Sequence, residues 1–206
     1  MLIKSISETF YDGMFKIQAI ENNEDIVFFI RKEYLSDLDF EDIVPDSEFE
    51  EHFAEGLMDA GLCCAVELKA VEYLARAEQS RFGLSRKLIQ KKYEKKYIDT
   101  ALDFLEQKNY LSDSRFSRAW LNTRKINHYE GRTKLCAELL SRGIDKNTAE
   151  SAVTAFFTEN DEQEICRKAY EKLLSKGKTD EKLISSLLQS GFSYKLIRDV
   201  MSGEES

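Results

Sequence analysis

Apolar residues follow two different periods along this chain. Near the start, the runs Met14 to Ile20 and Asp25 to Ile30 are rich in Ile, Phe and Val, and the polar, turn-prone cluster Glu21-Asn22-Asn23-Glu24 separates them. That pattern predicts a β-hairpin. An acidic stretch from Ser36 to Glu51 holds the only proline, Pro45, and reads either as the end of this small module or as a structure-poor linker. From Val66 onward proline is absent and apolar residues recur every three or four positions, which predicts helices.

The helical part repeats itself. Leu84, Leu88, Ile89 and Tyr93, followed by Ile98, return as Leu135, Leu139, Leu140 and Ile144 with Ala149, and again as Leu183, Leu187, Leu188 and Phe192 with Ile197. The copies are offset by 51 and then 48 residues and register without internal gaps. Each describes a helix whose last apolar residues pack on the next helix after a tight corner. Gly143 and Gly191 suit the left-handed position that ends such a helix, and Asp145 and Ser193 can cap the helix that follows. The first copy has Lys92 where glycine is expected, so its corner must be strained or closed differently. A preceding helix completes each unit: Val66 to Ala77, Ser114 to Ile126, and Glu162 to Leu174.

The expectation is a mainly α fold: an elongated tandem array of three three-helix repeats behind a small module that contains the β-hairpin. The boundaries fall at 1–60 for the acidic module and at 66–111, 112–158 and 159–206 for the repeats. A unit of that size buries too little surface alone, so neighbours must stack.

Composition changes this picture little. The 206 residues are 33% charged and 42% hydrophobic, ordinary values for a folded chain. No apolar stretch is long enough to span a bilayer, and a basic segment with an apolar core is missing from the start, so a cytoplasmic location without membrane contact is expected. Cys63, Cys64, Cys136 and Cys166 lack the C-x-x-C spacing that presents two thiolates to a metal, and are read as reduced structural residues. His52 and His128 lie in different modules without companion ligands. Neither phosphate-cradling glycine motif occurs. With no nucleophile–base pair, metal set or cofactor loop, the chain reads as a binding protein without a cofactor and not as an enzyme.

Charge is informative because it is uneven. The net charge is -8, but residues 1–60 hold 4 Lys or Arg against 16 Asp or Glu, so the rest of the chain is net positive. Residues 66–111 and 112–158 are each mildly basic and the final segment is mildly acidic. Along Ser114 to Ile126, Phe116, Ala119, Trp120 and Thr123 are expected on one face and Arg115, Arg118, Asn122 and Lys125 on the other. Leu84, Leu88 and Ile89 are expected to face inward, leaving Arg86, Lys87, Lys91 and Lys92 outward. Arg132, Lys134 and Arg142 continue the basic theme. The candidate partner-binding residues are therefore Arg81, Arg86, Lys87, Lys91, Arg115, Arg118, Lys125, Arg132, Lys134 and Arg142. Such stripes suit phosphates or an acidic protein groove equally well.

Asn109-Tyr110-Leu111-Ser112-Asp113-Ser114-Arg115-Phe116 is similar to the "gyl-D-x-R-F" signature of the RecX family, in which Asp113 and Phe116 count as structural residues. Gly131-Arg132 through Glu138-Leu139-Leu140-Ser141-Arg142-Gly143-Ile144 resembles its "G-x-x-x-[IL]-x-x-E-L-x-x-[KR]-G-I" segment, and Ala70 to Leu88 is similar to its first-repeat "R-x-x-S-x-x-E-L" region. The resemblance covers Val66 to about Met201. It implies tandem three-helix repeats and a non-catalytic modulator of the RecA recombinase, inhibitory in sign, that binds RecA filaments on single-stranded DNA. The implied partner is the RecA filament, with single-stranded DNA bound weakly at most and the chain itself a monomer. Two departures stand out: Gly83 replaces the acidic residue usual before Leu84, and a pI near 5.0 contrasts with the basic chains common in the family. A helical nucleic-acid-binding protein acting without RecA, and a helical scaffold for another partner, remain open on the residues alone.

Overall fold

The computed structural model describes residues 1–36 and 38–203. Asp37 of the acidic stretch and the last three residues assigned to the third repeat lie outside the described residues. By its contacts the chain divides into two units. One holds residues 1–77 and 84–111; the other holds residues 78–83 and the chain from Ser112 onward.

The first unit begins with an antiparallel meander of β1 (Leu2–Glu8), β2 (Met14–Glu21) and β3 (Glu24–Arg31), in that spatial order. β2 and β3 form the expected hairpin, registered from Met14 opposite Arg31 to Glu21 opposite Glu24. Asn22 and Asn23 both take positive φ, 52° and 66°, the conformation a two-residue hairpin loop needs to match the strands' twist. β1 was not expected. It pairs with β2 from Leu2 opposite Ile20 to Glu8 opposite Phe15, with a bulge between Ile3 and Ser5.

The acidic stretch is not a structure-poor linker. Leu38, Phe40 and Phe49 pack against a core of Ile3, Ile17, Ile30, Ile43 and Leu57, and Phe40–Asp42 closes a single 3₁₀ turn. Its apolar residues are simply spaced too irregularly to announce a helix or a strand.

Helix α1 (Glu51–Leu74) starts fifteen residues before the expected Val66 and runs through the supposed module boundary at residue 60. Leu57 and Ala60 belong to the sheet core, while Cys63, Val66 and Ala70 belong to the core formed with α2 (Arg81–Gln90) and α3 (Lys95–Gln107), where Leu84, Leu88, Ile98 and Leu102 are fully buried. The sheet and the first three helices are thus built on one continuous helix. A buried ion pair ties them further. Arg31 meets Glu67 with two hydrogen bonds of 2.7 Å, and Tyr34 donates to the same carboxylate at 2.9 Å. Burial alone would lower the Arg31 pKa, but the Glu67 partner raises it above its ordinary value. Burial together with the Glu67 charge pushes the Tyr34 hydroxyl strongly upward.

The second unit carries α4 (Asp113–Asn127), α5 (Arg132–Ser141), α6 (Lys146–Glu159), α7 (Glu162–Leu174), α8 (Asp180–Gln189) and α9 (Tyr194–Ser202). Leu121, Leu135, Leu139, Ile144, Val153 and Phe156 form one core; Cys166, Leu187, Phe192 and Ile197 form another. The corners close as the spacing predicts. Gly143 and Gly191 have φ of 79° and 89°, and Asp145 and Ser193 accept from the backbone N–H groups of Thr148 and Leu196. In the first unit Lys92 occupies the glycine position with φ 67°.

Two features depart from the expected faces. Ile89 is 48% exposed, and Leu140 and Leu188, its counterparts, are 46% and 45% exposed. A ten-residue helix meeting one core buries a stripe narrower than the pattern assumed, and only the first and fifth positions of the motif lie within it. Among the described residues of α4, Ser117 and Leu121 are buried, with Phe116 and Trp120 half-buried at their edge, whereas Ala119 and Thr123 are exposed.

Consecutive second helices of the repeats meet end to end within this unit. The Gly131 N–H donates to the Ser190 carbonyl at 2.8 Å and the Thr133 N–H to the Gly191 carbonyl at 3.3 Å, so the N-terminus of α5 satisfies carbonyls at the C-terminus of α8. At the other end of α5, the Ser80 hydroxyl donates to the Arg142 carbonyl at 3.0 Å, and Phe82 covers Gly143. Ser80 and Gly131 occupy the same position in their repeats, as do Arg142 and Ser190.

Candidate partner-binding groove

Asp113 and Ser112 set the start of α4. The Ser112 hydroxyl accepts from the Arg115 N–H at 3.3 Å, and the Asp113 carboxylate accepts from the Arg81 N–H at 2.8 Å, joining α4 to the segment that leads into α2. Burial raises the Asp113 pKa, partly opposed by that backbone hydrogen bond. Gly83 fits this junction because its N–H donates to the Ser80 hydroxyl at 3.0 Å, and a Cβ on residue 83 would sit only 3.0 Å from that oxygen.

From this anchor α4 runs alongside α6 and leaves an open groove of about 560 Å³. Arg115, Arg118 and Asn122 stand on one wall. Asn147, Thr148 and Ser151 stand on the other. Leu121, Ala152, Ala155 and Phe156 form the floor, with Glu159 at one end. Arg118 is exposed and makes no ion pair among the described residues, while the Arg115 Nε donates to Glu78 at 2.8 Å. Guanidinium groups, amides and hydroxyls around an apolar floor can bind a carboxylate or phosphate while seating a hydrocarbon group beneath it.

The ten expected site residues are therefore not placed alike. Arg115 and Arg118 share the groove, and Lys125 lies exposed further along the same face of α4. Arg132 is paired with Glu162 at 2.6 Å and lies 4.6 Å over the Phe157 ring. Arg142 is paired with Glu138 at 2.6 Å and packs 4.6 Å over Trp120. Lys134 is paired with Glu130 at 2.9 Å. The Arg81 backbone N–H donates to Asp113 at the start of α4, outside the groove lining. In the first unit, Arg86 and Lys91 are exposed on α2, and the Lys87 ammonium lies 5.2 Å over the Tyr73 ring.

Sequence reasoning missed the α6 wall and the role of Glu130. Asn147 and Ser151 lie four apart on one helix face, a signal that was present. Glu130 is buried at 6% side-chain exposure and accepts two hydrogen bonds from Arg124, at 2.9 and 2.6 Å, besides pairing with Lys134. Burial pushes its carboxyl pKa up, but the hydrogen bonds from Lys134 and Arg124 outweigh this and hold it below the ordinary value.

All four cysteines are free thiols, and burial pushes Cys63 up to about 11 and Cys166 up to about 12. Among the described residues no group of three or more His, Cys, Asp or Glu is placed to hold a metal, and no helix is long and apolar enough to cross a membrane.

Comparison with known proteins places these helices in a family. Residues 68–105 match the family model described as RecX, first three-helix domain, and residues 112–153 match the second three-helix domain. Regulatory protein RecX of Treponema pallidum is 34% identical over 142 residues, covering 69% of this chain and 87% of that one. Its counterpart from Herminiimonas arsenicoxydans is 31% identical over 150 residues, covering 71% and 97%. A crystal structure of regulatory protein RecX superposes with a TM-score of 0.76 at 17% identity, covering 98% of each chain. RecX from Lactobacillus salivarius superposes at 0.61 with 24% identity, covering 69% of this chain and 96% of that one.

Proposed function

We propose that this chain, which belongs to the RecX family, is a non-enzymatic regulator that binds the RecA filament on single-stranded DNA and restrains its activity, using the groove between α4 and α6. The relatives are named regulatory proteins, and the resemblance of the Asp113-x-Arg115-Phe116 signature implies RecA as the object of regulation. The observation that carries the groove is Arg118, an exposed guanidinium without an ion pair among the described residues, set over an apolar floor with Arg115 beside it. Arg132, Lys134 and Arg142 are left out of this surface because they lie outside the groove lining and each holds a carboxylate. We read residues 66–111, 112–158 and 159–206 as the three repeats, a monomer as the active form, and the cytoplasm as its place of action.

Cosedimentation with RecA filaments assembled on oligothymidine tests this reading. The parent chain is expected in the pellet and Arg118→Glu in the supernatant, with unchanged far-ultraviolet helicity. Equal pelleting of both would move the contact out of the groove.

The exposed cations of α2, Arg86 and Lys91, favour a second reading in which phosphates are contacted directly. That reading requires binding to naked oligothymidine, with log affinity falling by about 0.7 per phosphate contact for each unit of log salt.

A further inference from the structure

The acidic third of the chain carries a groove of its own. It lies in the first unit, measures about 970 Å³, and has a floor of Leu35, Leu38, Phe40, Phe49 and Phe53. A smaller cavity of about 170 Å³ shares Leu35, Leu38 and Phe53 and extends the groove towards Gly56 and Asp59. Phe53 is 37% exposed although it stands on α1 beside the core residues Ala54 and Leu57. The larger volume is in the range that takes up a bulky side chain or a short peptide segment.

The rim fixes the sign of whatever occupies it. Asp39, Asp42, Glu48 and Glu50 line the groove and form no ion pair among the described residues. Lys32 is the cation on the described lining, and its ammonium is held by Glu41 at 3.1 Å and by the Phe40 ring at 4.3 Å. With 16 acidic and 4 basic residues in positions 1–60, the surrounding field repels nucleic acid and acidic peptides alike.

We propose that this groove docks a basic amphipathic segment of a partner protein, with a bulky apolar side chain seated on Phe53 and flanking Lys or Arg side chains meeting the acidic rim. The apolar floor supplies the anchor, and the unpaired carboxylates supply specificity and speed of encounter. This is a separate surface from the α4–α6 groove and of opposite charge, so the assignment does not depend on RecA being the regulated partner.

Fluorescence anisotropy on the full chain tests it, with a short labelled Lys/Leu peptide of helical amphipathic spacing as the probe. Oligolysine of equal charge, the Glu/Leu counterpart and oligothymidine serve as comparisons. Saturable binding of the Lys/Leu peptide is expected, with oligolysine weaker by about tenfold or more and neither anionic probe binding through Phe53. Phe53→Ser and the double variant Asp39→Lys, Glu48→Lys are each expected to weaken binding at least about fivefold, whereas Glu24→Lys, at the opposite end of β3 from Lys32, leaves it unchanged. Thermal melts establish that every variant is folded. Oligolysine binding as well as the amphipathic peptide, or equal losses in Glu24→Lys and the rim variant, would reduce the effect to general charge and overturn the proposal. Unchanged binding in folded Phe53→Ser, no binding by the parent, or loss of oligothymidine binding on that substitution would overturn it too. Sedimentation velocity covers the remaining occupant: self-association of the parent that Phe53→Ser abolishes would give the groove to a second copy of this chain.

Discussion

Lys92 holds a left-handed backbone angle, φ 67°, where the two later repeats have Gly143 and Gly191. A residue with a Cβ enters that region at a cost of about 1–2 kcal/mol, while glycine surrenders about 0.5–1 kcal/mol of chain entropy on folding. Lys92→Gly is therefore expected to raise the urea midpoint, with a net gain of up to about 1 kcal/mol by the same comparison. An unchanged or lower midpoint would show that the Lys92 side chain stabilises the corner by more than its backbone strain costs. The sequence disclosed this corner because two copies of the repeat showed what the third lacked. The contact of Arg124 with Glu130 was hidden, because nothing in the spacing announces that Arg124 folds back onto that carboxylate. The depressed carboxyl pKa of Glu130 gives a definite pH dependence. The stabilisation is fully present above the unfolded value of about 4.3 and is lost as pH falls through the lower folded value. Glu130→Gln is expected to lower stability at neutral pH and to flatten its decline between about pH 5 and pH 3. Parallel acid profiles for the two proteins would remove Glu130 from the account.

At the scale of elements, the second helices were legible because their buried positions recur in three copies, and their corners because glycine and capping residues follow in order. Two signals failed. Glu50 precedes α1 without a side-chain capping bond, so the start of the longest described helix carries no cap signature. The acidic residues around Phe40 and Phe49 disguise a segment that packs on the sheet. The helix-to-helix junction adds a test that the pattern alone could not supply. A Cβ on Gly131 would lie 2.4 Å from the Gly191 carbonyl oxygen, whereas Gly56 on α1 has nothing within 4 Å of its would-be Cβ. Gly131→Ala is expected to cost about 1–3 kcal/mol, as overpacking does, and Gly56→Ala to gain about 0.5–1 kcal/mol. Urea titrations giving both substitutions the same sign would contradict the end-to-end contact of α5 and α8. Within the first unit, Arg31→Met leaves the Glu67 carboxylate buried with Tyr34 as its remaining hydrogen-bond partner and is expected to cost about 3–5 kcal/mol. A thermal melt at the parental temperature would mean that Glu67 reaches solvent or another cation.

At the scale of the whole molecule, family and fold class could be read from motifs and repeat spacing, while the binding surface could be read only in part. Helical spacing put Arg115, Arg118 and Lys125 on one face of α4. The opposite wall of the groove comes from α6, some thirty residues later, and no spacing rule connects the two. Two of the paired cations were within reach, since Glu130 with Lys134 and Glu138 with Arg142 stand four apart on the chain. Arg132 was not, because its partner Glu162 is thirty residues away. The acidic module is likewise no detachable appendage, because α1 carries residues of both the sheet core and the first-repeat core. The central claim is regulation of RecA through the groove, and its most direct test is the ATPase activity of RecA on single-stranded DNA as this protein is titrated in. The account predicts a progressive fall in activity with the parent chain, and a fall at least about tenfold weaker in concentration for folded Arg118→Glu, the loss expected of a buried charge contact. Unchanged ATPase activity at a several-fold excess of the parent over RecA would contradict it.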